Sequence, residues 1–136
     1  MNLFQYMIGN LDWSASKMHN CKLIISELPN GQQDAISIPY DFDYSGFVNT
    51  EYALPPAQLG LHNVQQRLYR GLCRDSNYFD KLIPHYLDKR ETTLSLIENA
   101  DLTESGKKKA INYINGFYKI IENPKKIENT IMTEFR

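Results

Sequence analysis

CKLIISELPNGQQDAISIP, residues 21–39, decides the fold of the N-terminal third of this chain. An apolar run extends from Cys21 to Leu28, and the Pro-Asn-Gly sequence at 29–31 is a strong turn signal. In the second run Ile36 and Ile38 alternate with polar residues, and the run ends at a proline. This pattern predicts a β-hairpin with about six residues in each strand.

Polar loops stand on both sides of the predicted hairpin. The sequence GNLDWSASKMHN precedes it and contains Asp12 and Asn20, and the sequence YDFDYSG follows it and contains Asp41 and Asp43. Because an antiparallel hairpin brings its two outer ends together, we expect these four side chains to converge on one surface. Carboxylate and amide oxygens are ligands that suit Mg²⁺. The sequence therefore predicts a magnesium or manganese site at the base of the hairpin.

Most of the remaining sequence predicts helices. A short apolar helix precedes the first loop and ends at Gly9, and an irregular loop extends from the second polar loop to about residue 63. Four further helices are predicted, of which the second contains a proline that must kink it or start a new helix. Their predicted starts are Asn63 (with Val64, Leu68 and Leu72 on one face), Ser76 (with Pro84 inside), Thr103, and Asn123-Pro124.

These elements predict an α+β fold, mostly α-helical with one small β-hairpin. We expect residues 1–136 to form a single domain. Residues 1–50 would carry the two polar loops and the hairpin, and residues 51–136 would form the helical remainder. The chain opens directly in apolar, helix-like sequence, which is an expected feature of a fragment of a larger fold.

The composition excludes several classes of function. The formal net charge is −1, which does not favour binding to nucleic acid, and no apolar run approaches the ~20 residues that cross a bilayer. Only Cys21 and Cys73 are present, and with three scattered histidines they make no zinc signature. So few cysteines favour a reducing compartment, and we expect a cytoplasmic protein.

The order of these elements resembles the catalytic and metal loops of the protein-kinase-like fold. That order is a helix, a loop that runs from an Asp to an Asn, a hairpin, and an Asp-Phe-x sequence. The wording GNLDWSASKMHN followed by IPYDFD is most similar to the atypical branches, namely the CotH spore-coat kinases, the HipA-type serine kinases and the aminoglycoside phosphotransferases. The resemblance covers about a third of the chain, from Met1 to Gly46. It implies that the chain is equivalent to a kinase C-lobe.

The resemblance also implies a role for each loop residue. Asp12 matches the catalytic base that accepts the proton of the substrate hydroxyl. Asn20 matches the metal-binding amide and Asp41 the metal-bridging aspartate, so both would act in binding Mg²⁺ and ATP. Asp43 has no counterpart in the family's motif, and its carboxylate two residues from Asp41 makes it a candidate for a further metal ligand. The implied reaction is phosphoryl transfer from ATP to a hydroxyl whose identity the sequence does not give.

The sequence departs from the kinase pattern at three points. The gap from Asp12 to Asn20 is eight residues, whereas the usual loops space these residues by about five. Asp43 stands where typical kinases have a glycine, and no glycine-rich loop or strand-borne lysine precedes the segment. We therefore expect an N-lobe or a partner chain to complete the enzyme. The alternative is a non-catalytic helical interaction domain whose polar loops are structural.

Overall fold

The computed structural model describes residues 1–71 and 76–132, and the side chains of residues 76, 77 and 132 lie outside that description. The chain divides into two compact units, Met1–Arg67 and Leu68–Arg136. The first unit carries the β-hairpin and the second is helical, so the fold is α+β and mostly helical, as predicted.

Helix α1, Asn2–Ile8, opens the first unit and ends at Gly9, whose φ of 63° lies in the left-handed region. Glycine adopts this conformation without a side-chain clash, which makes it a favoured helix end. The backbone N–H of Gly9 donates to the carbonyl of Tyr6, and that of Asn10 donates to Gln5. The helix therefore stops where the sequence predicted, and the first polar loop begins there.

The predicted hairpin is confirmed as strands β1, Cys21–Glu27, and β2, Gln33–Pro39. The strands pair antiparallel, with Cys21 opposite Pro39 and Ile24 opposite Ile36. In the turn, Gly31 has a φ of 78° and donates its N–H to the carbonyl of Leu28. Each strand has seven residues, one more than predicted.

Large apolar side chains on both faces of the hairpin are exposed. Ile25 on β1 is 61% exposed, and Ile36 on β2 is 54% exposed. A two-stranded sheet is marginally stable by itself in water, because it has no second layer to bury its faces. The exposed apolar residues of the hairpin and its turn are Leu23, Ile24, Ile25, Leu28, Ile36 and Ile38.

Between β2 and residue 71, the described backbone has one helical turn, a 3₁₀ turn at Ala57–Leu59. The helix predicted from Asn63 is wrong for residues 64–71, which form turns and irregular backbone. Local side-chain bonds compete with a helix there, since Oε1 of Gln66 accepts from the N–H of His62 and Oδ1 of Asn63 accepts from the N–H of Gln65. Leu72, part of the same prediction, lies outside the described residues.

The second unit contains helices α2, Ser76–Asp88, α3, Arg90–Glu98, α4, Glu104–Ile121, and the short α5, Pro124–Ile127, followed by a π-helical turn, Glu128–Met132. Helix α2 continues through Pro84, so the new helix begins at Arg90 and not at the proline.

Two of the predicted helix starts are confirmed by their capping bonds. The side chain of Thr103 accepts from the N–H of Gly106, and that of Asn123 accepts from the N–H of Lys126. The predicted cap at Ser76 involves a side chain outside the description. No helix in the described part of the chain combines the length and apolar character needed to cross a membrane.

Candidate functional site

Asp12 lies directly after the end of helix α1. Its backbone N–H donates to Oδ1 of Asn10 over 3.0 Å, which fixes the turn that leads out of the helix. Asn10 is only 1% exposed, so this turn is anchored from a buried position. The Asp12 side chain is 37% exposed and remains accessible.

The carboxylate of Asp12 is held on both oxygens. The amide nitrogen of Asn20 donates to Oδ2 over 3.0 Å and to the backbone carbonyl of Asp12 over 2.8 Å. Nε2 of His19 lies 2.8 Å from Oδ1. Two neighbouring residues thus orient one carboxylate, and each of its oxygens keeps a further lone pair for another donor.

Asn20 is held in the left-handed region, with a φ of 49°. Asn is one of the few residues other than Gly that adopt this conformation readily. Because both hydrogen bonds of its amide use the nitrogen, the amide oxygen stays available as a ligand. That oxygen has no hydrogen bond to any described residue.

The long gap between Asp12 and Asn20 is taken up by a closed loop. Ser14 and His19 exchange backbone hydrogen bonds of 2.9 Å in both directions. Residues 15–18 therefore form a loop whose two ends are held side by side. Oγ of Ser14 also accepts from the N–H of Lys17. The additional residues therefore do not move Asn20 away from Asp12.

The hairpin joins the two polar loops, as the sequence predicted. Beyond the Cys21–Pro39 pair, the N–H of Tyr40 donates to the carbonyl of Asn20 over 3.0 Å. Asp41 follows with a φ of 59°, again in the left-handed region. Asp41 is therefore one residue away from a direct backbone contact with Asn20.

Asp41 and Asp43 interact directly. Hydrogen bonding to the Asp43 carboxyl raises the pKa of Asp41, and the charge of Asp43 raises it further. The charge of Asp12 acts in the same direction, which means that the first polar loop contributes to the field at Asp41. Three carboxylates from two loops therefore form one electronegative cluster, which raises the pKa of Asp41.

Asp43 is anchored by the segment that follows it. The hydroxyl of Tyr52 donates to Oδ2 of Asp43 over 2.9 Å, and the hydroxyl of Thr50 donates to the Asp43 backbone carbonyl over 3.0 Å. The hydrogen bond to Asp43 raises the pKa of Tyr52. The rings of Tyr44 and Tyr52 also pack with centroids 5.7 Å apart.

The second polar loop is fastened to the end of helix α1 as well. The N–H of Gly46 donates to the carbonyl of Gly9, and the N–H of Phe47 donates to that of Ile8, each over 3.0 Å. The ring of Phe42 packs edge-on against Phe4 of the helix. The acidic cluster thus lies between two sets of backbone bonds, one at the hairpin and one at the helix.

The structure brings together all four residues that the sequence nominated. Asp12 and Asn20 share hydrogen bonds, the Asp43 carboxyl raises the pKa of Asp41, and the charge of Asp12 raises it further. Across residues 1–71 and 76–132, no three side chains of His, Cys, Asp or Glu are already arranged as a metal-binding group. The cluster is an acidic surface with one free amide oxygen.

Sequence reasoning missed two of the contacts. His19 was expected to pack in its loop or to support the site, with direct contact to a substrate as the less favoured alternative, and its bond to Asp12 was not specified. Tyr52 was not singled out. The adjacency of His19 to Asn20 is a signal for the first contact, whereas the Tyr52–Asp43 bond joins residues nine apart in an irregular segment. No periodic pattern predicts that second contact.

Comparisons with protein-family models, with curated proteins and with solved structures found no match to this chain.

Proposed function

We propose that this chain catalyses, with a partner lobe, Mg²⁺-dependent phosphoryl transfer from a nucleoside triphosphate to an alcohol. The observation that carries the proposal is the pair of bonds from the Asn20 amide nitrogen to Asp12. These bonds orient a carboxylate as a base and leave the amide oxygen of Asn20 without a hydrogen bond to a described residue. The backbone bond from Tyr40 to Asn20 joins this loop to the segment that carries Asp41 and Asp43.

Asp12 is the proposed base. Its carboxylate is fixed by His19 and Asn20, and each oxygen keeps a lone pair that can accept the proton of an acceptor hydroxyl. Fixing the base in this way removes the rotamer search from the proton transfer, which is the contribution that orientation makes to catalysis.

Asn20 and Asp41 are the proposed metal ligands, with Asp43 as a further one. When bound, Mg²⁺ would neutralise the charge of the triphosphate oxygens and hold them in line with the acceptor. Mg²⁺ needs only one or two protein carboxylates when phosphates and water supply the remaining oxygens. Asn20 and Asp41, with Asp43 nearby, would therefore be enough protein ligands for Mg²⁺ when a triphosphate is bound.

The exposed hairpin supports the need for a partner. Ile24 and Ile36 pair across the two strands and are both exposed, and Ile38 is exposed on the same face. A contiguous exposed apolar patch marks a protein–protein contact more often than a free surface. An N-lobe or separate chain that covers the hairpin would supply the triphosphate clamp.

Thermal melting tests this proposal. Metal at ten times its Kd stabilises a folded protein by about 1.4 kcal/mol, which for a domain of this size raises the Tm by several degrees. We expect such a rise for the wild type with millimolar Mn²⁺, a larger rise with Mn²⁺ and ATP together, and little from ATP in a chelator.

The Asp41→Asn variant should lose the rise on adding metal, whereas Asp34→Asn, on the exposed strand β2, should keep it. Asn is well tolerated at the positive φ of Asp41, so the exchange removes the charge and leaves the backbone unstrained. An equal response to Mn²⁺ in Asp41→Asn and the wild type would refute the proposed metal site.

The second unit favours one other candidate function, a helical interaction domain. Helices α2, α4 and α5 line an apolar groove of about 600 Å³, with Phe79, Ile83 and Leu87 on one wall and Ile121 and Ile127 on the other. Cavities of this size bind apolar ligands or side chains. In that case Mn²⁺ and ATP would leave the Tm of the whole chain unchanged.

A further inference from the structure

We infer that the notch beside Asp12 is the acceptor site, and that it selects a hydroxyl carried on a short branched aliphatic group. This inference rests on the proposed function, because it takes Asp12 to be the base. It adds the class of acceptor, which the arrangement of the four loop residues does not define.

Asp12 is one of the residues that line the notch, which has a volume of about 90 Å³. A cavity needs roughly 10–15 Å³ to hold one water molecule, so the notch has room for a group of several heavy atoms. A side chain such as that of threonine is of the right order.

The walls of the notch are mostly apolar. Besides Asp12 and Tyr44, it is lined by Leu11, Leu54, Pro55, Pro56 and Val64. Aliphatic and proline side chains offer no hydrogen-bond partners, so burying additional hydroxyls of a polyol against them would leave those hydroxyls unpaired. The walls therefore favour an alcohol with one hydroxyl on a hydrocarbon frame.

The position of the walls is fixed from within the first unit. Val64 is 4% exposed and Leu11 is also 4% exposed, which makes a firm floor. The segment that carries Leu54 follows Tyr52, whose hydroxyl bonds Asp43. The prolines at 55 and 56 lock their own φ angles and limit the conformations of this wall. The notch is thus a preformed feature beside the acidic cluster.

In the transfer step, the acceptor oxygen attacks the γ-phosphorus of the nucleoside triphosphate and forms a new P–O bond. The bond between that phosphorus and the oxygen bridging to the β-phosphate breaks, and the nucleoside diphosphate leaves. The hydroxyl proton passes to a carboxylate oxygen of Asp12. The notch holds the carbon frame of the acceptor so that its hydroxyl faces that oxygen.

NMR titration of the full chain with simple alcohols tests this inference without metal or nucleotide. With 2-propanol, we expect the methyl signals of Leu54 and Val64 to shift with a Kd on the order of 0.1 M, because a four-atom ligand makes few contacts. Methyl β-D-glucopyranoside at the same concentration should shift them little. Equal or larger shifts with the glucoside would overturn the inference, and so would no shift with 2-propanol.

A matched pair of variants locates the binding. Leu54 is 74% exposed on the wall of the notch and Leu96 is 71% exposed on α3, so neither exchange should unfold the chain. Leu54→Asn keeps the side-chain size and removes apolar contact, and we expect about fivefold weaker binding of 2-propanol. Leu96→Asn should bind as the wild type does. Unchanged binding in Leu54→Asn would refute the assignment.

N-acetyl-threonine-N′-methylamide separates the two sources of such a hydroxyl. Binding several-fold tighter than that of 2-propanol supports a peptide acceptor, and equal binding supports a small alcohol. Failure of the inference is distinct from failure of the proposed function: loss of alcohol binding with an intact Mn²⁺ response refutes the notch alone. Alcohol binding without any Mn²⁺ response would leave the notch as a binding site and refute the reaction.

Discussion

The phenolic hydroxyl of Tyr52 donates a hydrogen bond to Oδ2 of Asp43 over 2.9 Å, and this bond joins the segment that leads to Leu54 of the notch to the acidic cluster. The bond favours the protonated phenol and so raises the pKa of Tyr52 above its usual 10.0. A proton held more tightly in the folded state contributes stability that is present below pH 10 and is lost as the pH rises through the raised pKa.

Tyr52→Phe should therefore lower the Tm at pH 7 to 9, and its difference from the wild type should shrink at higher pH. The exchange keeps the ring that packs on Tyr44 and removes only the donor. Tyr40→Phe is the matched control, because Tyr40 is also partly exposed and its ring lies over Lys22. Melting curves at several pH values measure both. A constant Tyr52→Phe deficit at all pH values would contradict this account.

Asp41→Asn should stabilise the metal-free chain at neutral pH. The pKa of Asp41 is raised above 3.8, chiefly by the hydrogen bond to Asp43 and then by its charge. For a carboxyl with a raised pKa, the unfavourable contribution is absent below pH 3.8 and is complete above the raised pKa. The gain in Asp41→Asn should thus appear at pH 7 and vanish near pH 3.5.

The measurement for Asp41 is urea unfolding in a chelator at the two pH values, with Asp34→Asn as the control. Asp34 lies on the exposed strand β2, away from the two polar loops. If Asp41→Asn were less stable than the wild type at pH 7, then repulsion would not dominate at this position.

Asn20→Ala should destabilise the chain by about 2–3 kcal/mol. Two amide hydrogen bonds to Asp12 are lost, each worth roughly 1 kcal/mol net, and alanine is strained by about 1 kcal/mol at the positive φ of this position. Asn20→Gly removes the same bonds without the strain. We expect it to recover about 1 kcal/mol of the loss, as measured by urea unfolding. If the glycine variant were less stable than the alanine variant, the backbone argument would fail.

The hairpin should cause association that depends on concentration. Ile25→Lys places a charge on the exposed face of β1, where the isoleucine is 61% exposed. Charged residues on an exposed sheet suppress pairing between chains. Sedimentation velocity should show less association for Ile25→Lys than for the wild type, with Leu96→Lys unchanged. Equal association of all three proteins would place any contact elsewhere.

Local signals in the sequence predicted part of this structure correctly. Gly9 ends a helix, the Pro-Asn-Gly turn at 29–31 joins two strands, and Thr103 caps α4, because each depends on neighbouring residues only. The convergence of Asn20 with Asp41 followed from hairpin geometry. That convergence is predictable because the pairing of two strands determines where the ends of the strands lie.

Competing local bonds and contacts across irregular segments were not predictable in the same way. Apolar spacing at Val64 and Leu68 indicated a helix, but the side chains of Asn63 and Gln66 bond to backbone N–H groups and favour turns instead. The Tyr52–Asp43 bond depends on the path of a loop with no periodic pattern. The phosphoryl-transfer activity stays a prediction, because the proposal places part of its groups on a partner lobe.

The register that sets Cys21 opposite Pro39 has a consequence for what holds the acidic cluster together. A protease cut between Asn30 and Gly31, in the exposed turn, would leave Asp12 and Asn20 on one peptide and Asp41 and Asp43 on the other. Strand pairing and the Gly46–Gly9 backbone bond would still join the two pieces. The acidic cluster would then stay assembled after the peptide bond in the turn is cut. It would come apart only when the two strands separate.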